Sequence, residues 1–340
     1  MESKNNLPPF QLLNLSRLSK KQSNQYNSNL YNTCYLNAVI QCLFHLEEFI
    51  CTILNCSGGE LLDATKKLIN EIKENKTNKL SVLEIKNAMI NYNDEYYGID
   101  FGNSKKFLLD YLNGLSQETL IQNHNKLNLI KNNILDTNYY NFLMKFYKKG
   151  HSLISDLFCG VFITENYCKK CNKIRSFTYH SFKNIGLPLY NLAKNNSYKS
   201  LDIVCLFNEF FSEKEILNLF CENCNKKYYT KTNIYSFPKY LIIYLERKVD
   251  DNYYIKNDIF NYEVLKFTNN QNSKKINNFE YNLKSIIYYS YLSKNIGHYS
   301  ASCSINDEWC YIDDNEFYFL SDYRSRYKKD NPIILFYEKK

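Results

Sequence analysis

Apolar residues recur at helical spacing through the first part of the chain and give way to short strand-like runs in the second. Behind Cys34, residues Leu36, Val39, Ile40, Leu43 and Phe44 share one helical face, with Glu47 and Glu48 off it. Ser81-Val82-Leu83-Glu84 predicts a capping box, in which Ser81 and Glu84 satisfy orphan backbone N–H groups. Phe107, Leu108, Tyr111, Leu112 and Leu115 form a further helical stripe. The signals are helical from about 33 to 147 and strand-like from about 156. The strand runs are 157–163, 240–245, 285–289 and 333–337, all rich in β-branched and aromatic residues. Residues 1–26 read as a flexible N-terminal arm, and the Asn/Lys-rich stretches near 122–134 and 268–278 read as loops. Helices first and strands afterwards imply an α+β arrangement.

Three positions within this pattern suggest chemistry. Cys34 stands directly ahead of the first helical run, where a helix N-terminus and an imidazolium neighbour together lower a thiol pKa. His298 opens an alternating segment in which His298, Ser300, Ser302 and Ser304 face one side, so the imidazole is expected on a polar face. Asp313 follows the next apolar stretch, compatible with an adjacent antiparallel strand, and a carboxylate there can fix the tautomer and orientation of the imidazole. Each residue alone has an ordinary reading: a small buried hydrophobe, a surface histidine, a turn aspartate.

Cysteine spacing adds a metal site. Cys168-Lys169-Lys170-Cys171 and Cys221-Glu222-Asn223-Cys224 each present two thiols to one tetrahedral ion, and two such pairs complete a structural zinc site. Asn172 and Asn225 follow the pairs where a knuckle turn favours a residue tolerant of left-handed backbone. The long interval between the pairs means that the ion would tie two distant hairpins together. Cys42, Cys51, Cys159, Cys205 and Cys303 lie among apolar neighbours and read as core residues.

Composition narrows the classes. With 44% hydrophobic and 23% charged residues the chain is globular, and 340 residues can bury a large core. The net charge of +8 comes from lysines scattered in pairs such as Lys66-Lys67 and Lys226-Lys227, which is not the clustered footprint of a nucleic-acid binder. No stretch approaches a membrane span and the N-terminus lacks an apolar signal core, so no membrane association is expected. The 12 cysteines are therefore expected in a reducing compartment, the cytoplasm or nucleus.

Together these blocks resemble the ubiquitin-specific protease family of papain-like cysteine peptidases, over roughly 26–340. The family's first box is matched by Asn29, Asn32, Thr33, Cys34, Tyr35 and Asn37. Its metal-bearing region is similar to Asp156-Leu157-Phe158-Cys159-Gly160 followed by the two cysteine pairs, and its following strand to the segment from Phe237-Pro238 to Arg247. The histidine box is similar to Gly297-His298-Tyr299 with Trp309 and Asp313-Asp314 downstream, and the closing strand to Ile334-Leu335-Phe336-Tyr337. The resemblance implies a helical thumb (about 27–155), zinc-tipped fingers (about 156–235) and a β-rich palm (about 236–340). It implies Cys34 as nucleophile, His298 as base, Asp313 as its orienting partner and Asn29 as side-chain donor to the oxyanion. It further implies one structural zinc on Cys168, Cys171, Cys221 and Cys224, no organic cofactor, ubiquitin or ubiquitinated proteins as partners, and a monomer.

The chain departs from the family in two places. Tyr26 and Tyr31 replace glycines of the first box, and tyrosine takes positive φ less cheaply. In the box matched by 102–108 only Phe107 and Leu108 survive; Asn103 stands near the expected carboxylate, beside Lys105 and Lys106. The expectation is a thiol isopeptidase cleaving after the C-terminal glycine of ubiquitin. The rivals are a ubiquitin-binding scaffold with little or no turnover, a protease for another ubiquitin-like protein, and a thiol acyltransferase.

Overall fold

The computed structural model describes residues 33–74, 82–97, 102–121, 137–195, 200–248, 254–272, 275–293, 296–313, 316–328 and 330–340. The expected arm, 1–26, lies outside them, as do Tyr26, Asn29, Tyr31, Asn32, Ser81, Asp314 and the loop at 122–134.

The helices come first. They are α1 (Cys34–Phe44), α2 (Glu47–Asn55), α3 (Glu60–Lys73), α4 (Leu83–Ile90), α5 (Ser104–Glu118), α6 (Thr137–Gly150) and α7 (Leu153–Phe158). Strands β1 (Gly160–Cys168), β2 (Lys173–Phe182) and β3 (Ile185–Pro188) follow, then α8 (Tyr190–Asn195), β4 (Ser200–Asp202) and α9 (Ile203–Phe210). Next are β5 (Lys214–Phe220), β6 (Lys227–Ser236), β7 (Tyr240–Glu246), β8 (Asp258–Phe260) and β9 (Val264–Asn272). The chain ends with β10 (Lys275–Ser293), β11 (Ile296–Ile305), β12 (Glu308–Asp313), β13 (Glu316–Leu320) and β14 (Asn331–Lys339).

These elements form two compact units, each assembled from separated segments: 1–120, 152–154 and 283–337 in the first, 121–151, 155–282 and 338–340 in the second. In the first unit the strand order is β13-β12-β11-β10-β14, and α1 packs against β11. Helix α1 is apolar nearly all round: Leu36, Val39, Ile40, Cys42 and Leu43 are fully buried, as such a composition requires. Burial of each large aliphatic side chain contributes about 1.5–3 kcal/mol. The helix stops at Phe44, and Glu47 and Glu48 open α2 instead, where carboxylates favour the positive helix end. The α5 stripe from Phe107 to Leu115 is buried as its spacing predicts.

The second unit contains the four-stranded antiparallel sheet β2-β1-β6-β5. Its β1–β2 and β5–β6 hairpin tips carry the two cysteine pairs. Strand β1 begins at Gly160 rather than 157, because Leu157 and Phe158 finish α7 and a Cβ at position 160 would collide with the Phe182 ring.

Other expectations are corrected. The predicted capping box needs Ser81, which lies outside the described residues; α4 has Val82 at its N-cap, and Glu84 pairs with Lys67. Around 268–278 the described residues belong to the antiparallel β9–β10 ladder rather than to a loop. Among the five cysteines read as core, Cys42 and Cys303 are buried, Cys159 is half-buried, and Cys51 and Cys205 are exposed. Apolar neighbours along a helix do not decide which face a residue takes.

Candidate active site

Cys34 is the first residue of α1 and is half-buried. Thr33 precedes it at the N-cap without a side-chain hydrogen bond, and its carbonyl accepts from Leu36 N at 3.0 Å and Asn37 N at 2.8 Å. The positive end of the helix thus lies beside Sγ, and the Thr33 side chain does not cap it. The start of α1 is fixed by Tyr35, whose ring packs edge-on against Phe107 at 5.6 Å. Gly102 permits this, because a Cβ there would meet the Tyr35 ring at 2.3 Å.

His298 and Asp313 come from β11 and β12, joined by the two-residue turn Asn306-Asp307 with φ of 50° and 67°. Positive φ at both turn positions suits the right-handed twist of the flanking strands, and Asn and Asp accept it readily. The turn sets Ser302 opposite Tyr311. Counting by twos, His298, Ser300, Ser302, Tyr311 and Asp313 emerge on one face. Ser300 and Ser302 are buried there, so the face is polar in composition but largely closed to solvent. Gly297, ahead of the histidine, leaves room for the Tyr289 ring, which a Cβ would meet at 2.0 Å.

His298 Nε2 lies 2.5 Å from Asp313 Oδ1. Hydrogen bonds to Asp313 first and Cys34 second, against the opposing effect of burial, push the imidazole from its ordinary value up to about 10. With Nε2 committed to the carboxylate, Nδ1 is the nitrogen left to exchange a proton with Sγ. The structure therefore brings together three of the four expected catalytic residues; Asn29 lies outside the described residues.

The surroundings of Asp313 carry no signal in the sequence. Tyr311 Oη approaches Asp313 Oδ2 at 3.3 Å and Asp330 Oδ2 at 3.0 Å, while Arg326 Nη2 donates to Tyr311 Oη at 2.8 Å. Arg326 and Asp330 come from the 3₁₀ turn Tyr323–Lys328 and the residue just before β14, where no periodic pattern marks them.

Near the expected acidic box, Asn103 caps α5, its Oδ1 accepting from Lys106 N at 3.1 Å. Lys106 is not a free cation: its Nζ lies 2.6 Å from Glu95 and 3.5 Å from Asp110.

In the second unit the sulfurs of Cys168, Cys171, Cys221 and Cys224 all lie within 4.8 Å of one another. The Cys168–Cys224 and Cys171–Cys221 separations are 3.5 and 3.8 Å. Zinc–sulfur bonds of about 2.3 Å in a tetrahedron place sulfurs about 3.8 Å apart, so the residues fit a zinc ion. The pairing follows from Tyr167 standing opposite Tyr229, which aligns the β1 and β6 ends. Asn172 and Asn225 adopt φ of 50° and 53°, the left-handed knuckle geometry expected. The Asn223 backbone N–H draws the Cys221 thiol down to about 6, whereas a hydrogen bond with Cys224 leads the causes that push Cys171 up to about 12. A dication would let all four ionise.

A family model described as "Ubiquitin carboxyl-terminal hydrolase" matches residues 27–337. Ubiquitin carboxyl-terminal hydrolase Usp2 of Drosophila melanogaster is 25% identical over 337 residues, covering 92% of this chain and 34% of that protein. Ubiquitin carboxyl-terminal hydrolase 2 of Homo sapiens is 25% identical over 341 residues, covering 91% of this chain and 54% of that protein. The chain thus spans about a third to a half of the length of these curated relatives. Among solved structures, a chain of the SAGA DUB module Ubp8/Sgf11/Sus1/Sgf73 bound to monoubiquitin superposes with a TM-score of 0.70 at 17% identity. That match covers 96% of this chain and 74% of the other, and bears out the papain-like α+β fold.

Proposed function

The chain belongs to the ubiquitin carboxyl-terminal hydrolase family, and from that premise we propose that it is a thiol-dependent deubiquitinase. Its reaction would be hydrolysis of the isopeptide or peptide bond after the C-terminal glycine of ubiquitin. The observation that carries the reading is His298 hydrogen-bonded to Asp313, with Cys34 at the start of α1 near enough to help raise the imidazole's pKa.

In this mechanism Asp313 orients the ring and stabilises its cation, while His298 holds the proton taken from Cys34. The thiolate attacks the glycine carbonyl carbon, and the carbonyl electron pair moves onto oxygen. The side-chain amide of Asn29, assigned by resemblance, is the donor to that oxyanion, an interaction of about 3 kcal/mol in comparable sites. Collapse of the intermediate breaks the C–N bond, and the departing amine takes the proton from His298 Nδ1. Water then attacks the thioester, gives its proton to His298, and releases the carboxylate and the thiolate.

Cys168, Cys171, Cys221 and Cys224 would hold one zinc, closing the two hairpin tips into a single finger end. The thumb, fingers and palm spans given above would be the working parts, in an intracellular monomer. Asn103 capping α5 where the family carries a carboxylate favours a second reading, a protease for another ubiquitin-like protein. Hydrolysis of C-terminal fluorogenic conjugates of ubiquitin and of ubiquitin-like proteins, compared at equal enzyme concentration, separates the two. Ubiquitin is expected to be cut best, and preference for another conjugate would overturn that choice.

A further inference from the structure

We propose that Tyr311 is a positioning residue for Asp313, locked in place by Arg326 and Asp330, and that it fixes the carboxylate that orients His298. The proposal rests on the reading of Cys34, His298 and Asp313 given above and adds a part to that site.

Among the described residues Asp313 has two side-chain partners, one on each oxygen: His298 Nε2 on Oδ1 and Tyr311 Oη on Oδ2. A carboxylate held through one oxygen turns easily about its last torsion, whose energy profile is broad. Its bond to the imidazole would then swing with it. A second anchor on the other oxygen removes that freedom.

Tyr311 suits this role. It is buried, and burial raises its phenol well above the ordinary range, so it remains an O–H donor at any working pH. Its single proton faces two carboxylates, Asp330 at 3.0 Å and Asp313 at 3.3 Å. Asp330 is already supplied: Arg326 donates to its Oδ2 and the Ser290 hydroxyl to its Oδ1. Arg326 also donates to Tyr311 Oη, with its guanidinium carbon 3.8 Å from the ring centroid. A cationic donor on the phenol oxygen polarises the remaining O–H and strengthens its bond to an acceptor. Asp313 is the acceptor that gains from it.

The charges are arranged to the same end. Arg326 offsets Asp330, so the group adds no net negative charge beside Asp313. The loop also closes on the histidine, since Ser290 stands directly opposite His298 across the β10–β11 ladder. β10, β12, the 3₁₀ turn and the residue just before β14 thus all fasten one carboxylate.

The test is Tyr311→Phe, which removes only the hydroxyl, made alone and together with Asp313→Ala in the full chain. With a ubiquitin conjugate as substrate, Tyr311→Phe should lower kcat about tenfold with KM changed less than about twofold, the loss of one charge-assisted hydrogen bond in the transition state. In the Asp313→Ala background the same change should have no further effect. Equal losses in both backgrounds would overturn the proposal.

Alkylation of Cys34 by iodoacetamide against pH, followed on its peptide by mass spectrometry, gives a readout independent of substrate. The high-pH inflection reporting the His298 proton should fall in Tyr311→Phe and stay where Asp313→Ala puts it in the double variant. An unmoved inflection would contradict the role even if ubiquitin is cut. Failure to cut ubiquitin, with the inflection moving as stated, would remove the substrate assignment and leave the positioning role standing. Should Tyr311→Phe not fold, Ser290→Ala, which keeps the phenol, carries the same two comparisons.

Discussion

Ser302 stands directly opposite Tyr311 across the β11–β12 ladder, and this pairing puts His298 and Asp313 on the same face. The strands alternate with a period of two, so a slip of one residue would turn one of the pair away. The Asn306-Asp307 turn is what holds the register.

Asp313→Ala should therefore lower kcat by roughly a hundredfold or more, in the range for removing an acid–base component, while leaving KM little changed. Asp314 is adjacent and lies outside the described residues. Asp314→Ala is expected to have a much smaller effect, and steady-state kinetics on the two variants tests the assignment.

The histidine makes a pH prediction with a definite sign. Its folded value, about 10, lies above the ordinary value of about 6.5. The stabilisation from protonated His298 is thus complete below about pH 6.5 and is lost as pH rises through about 10. The difference in Tm between the wild type and Asp313→Asn should shrink over that interval. The alkaline fall in kcat/KM should come near pH 10 rather than near the usual histidine value.

Metal content is predicted at one zinc per chain. Cys221→Ser should lose it and lower Tm, because the ion would close two distant hairpins and its binding energy would contribute to folding. Elemental analysis with thermal unfolding checks both. A metal-free preparation of unchanged Tm would contradict the assignment.

Asn103→Asp should strengthen attraction for a basic C-terminal tail. Asp is as good an N-cap as Asn and is favoured at a helix N-terminus, so α5 should not be weakened. An added surface charge pair is worth on the order of 1 kcal/mol, which predicts a KM about fivefold lower with kcat unchanged. Pairing of Lys106 with Glu95 and Asp110 leaves less local positive charge than the sequence suggests. A KM that does not fall would move tail recognition away from α5.

Much of this was legible from residue types alone. Cys34 before an apolar helix, His298 in an alternating run, and Asn172 and Asn225 after the cysteine pairs each state a local requirement that the structure meets. Longer-range facts were not legible. That β1 pairs with β6, bringing Cys168 to Cys224, depends on strand order rather than on spacing. Cys51 and Cys205 show the same limit on a smaller scale, since apolar neighbours in sequence did not decide which side of a helix faced outward. Asn306-Asp307 did carry a hairpin signal that would have fixed the β11–β12 register. Arg326 and Asp330 carried none, because their partner Tyr311 is met only after the sheet has formed.

The most direct test of the central claim is reaction with ubiquitin bearing an electrophile at its C-terminus, read by intact mass and peptide mapping. Wild-type protein should gain one ubiquitin, attached at Cys34, and Cys34→Ala should gain none while keeping its Tm. Attachment at any of the other cysteines, or no attachment to a folded wild-type chain, would contradict the account.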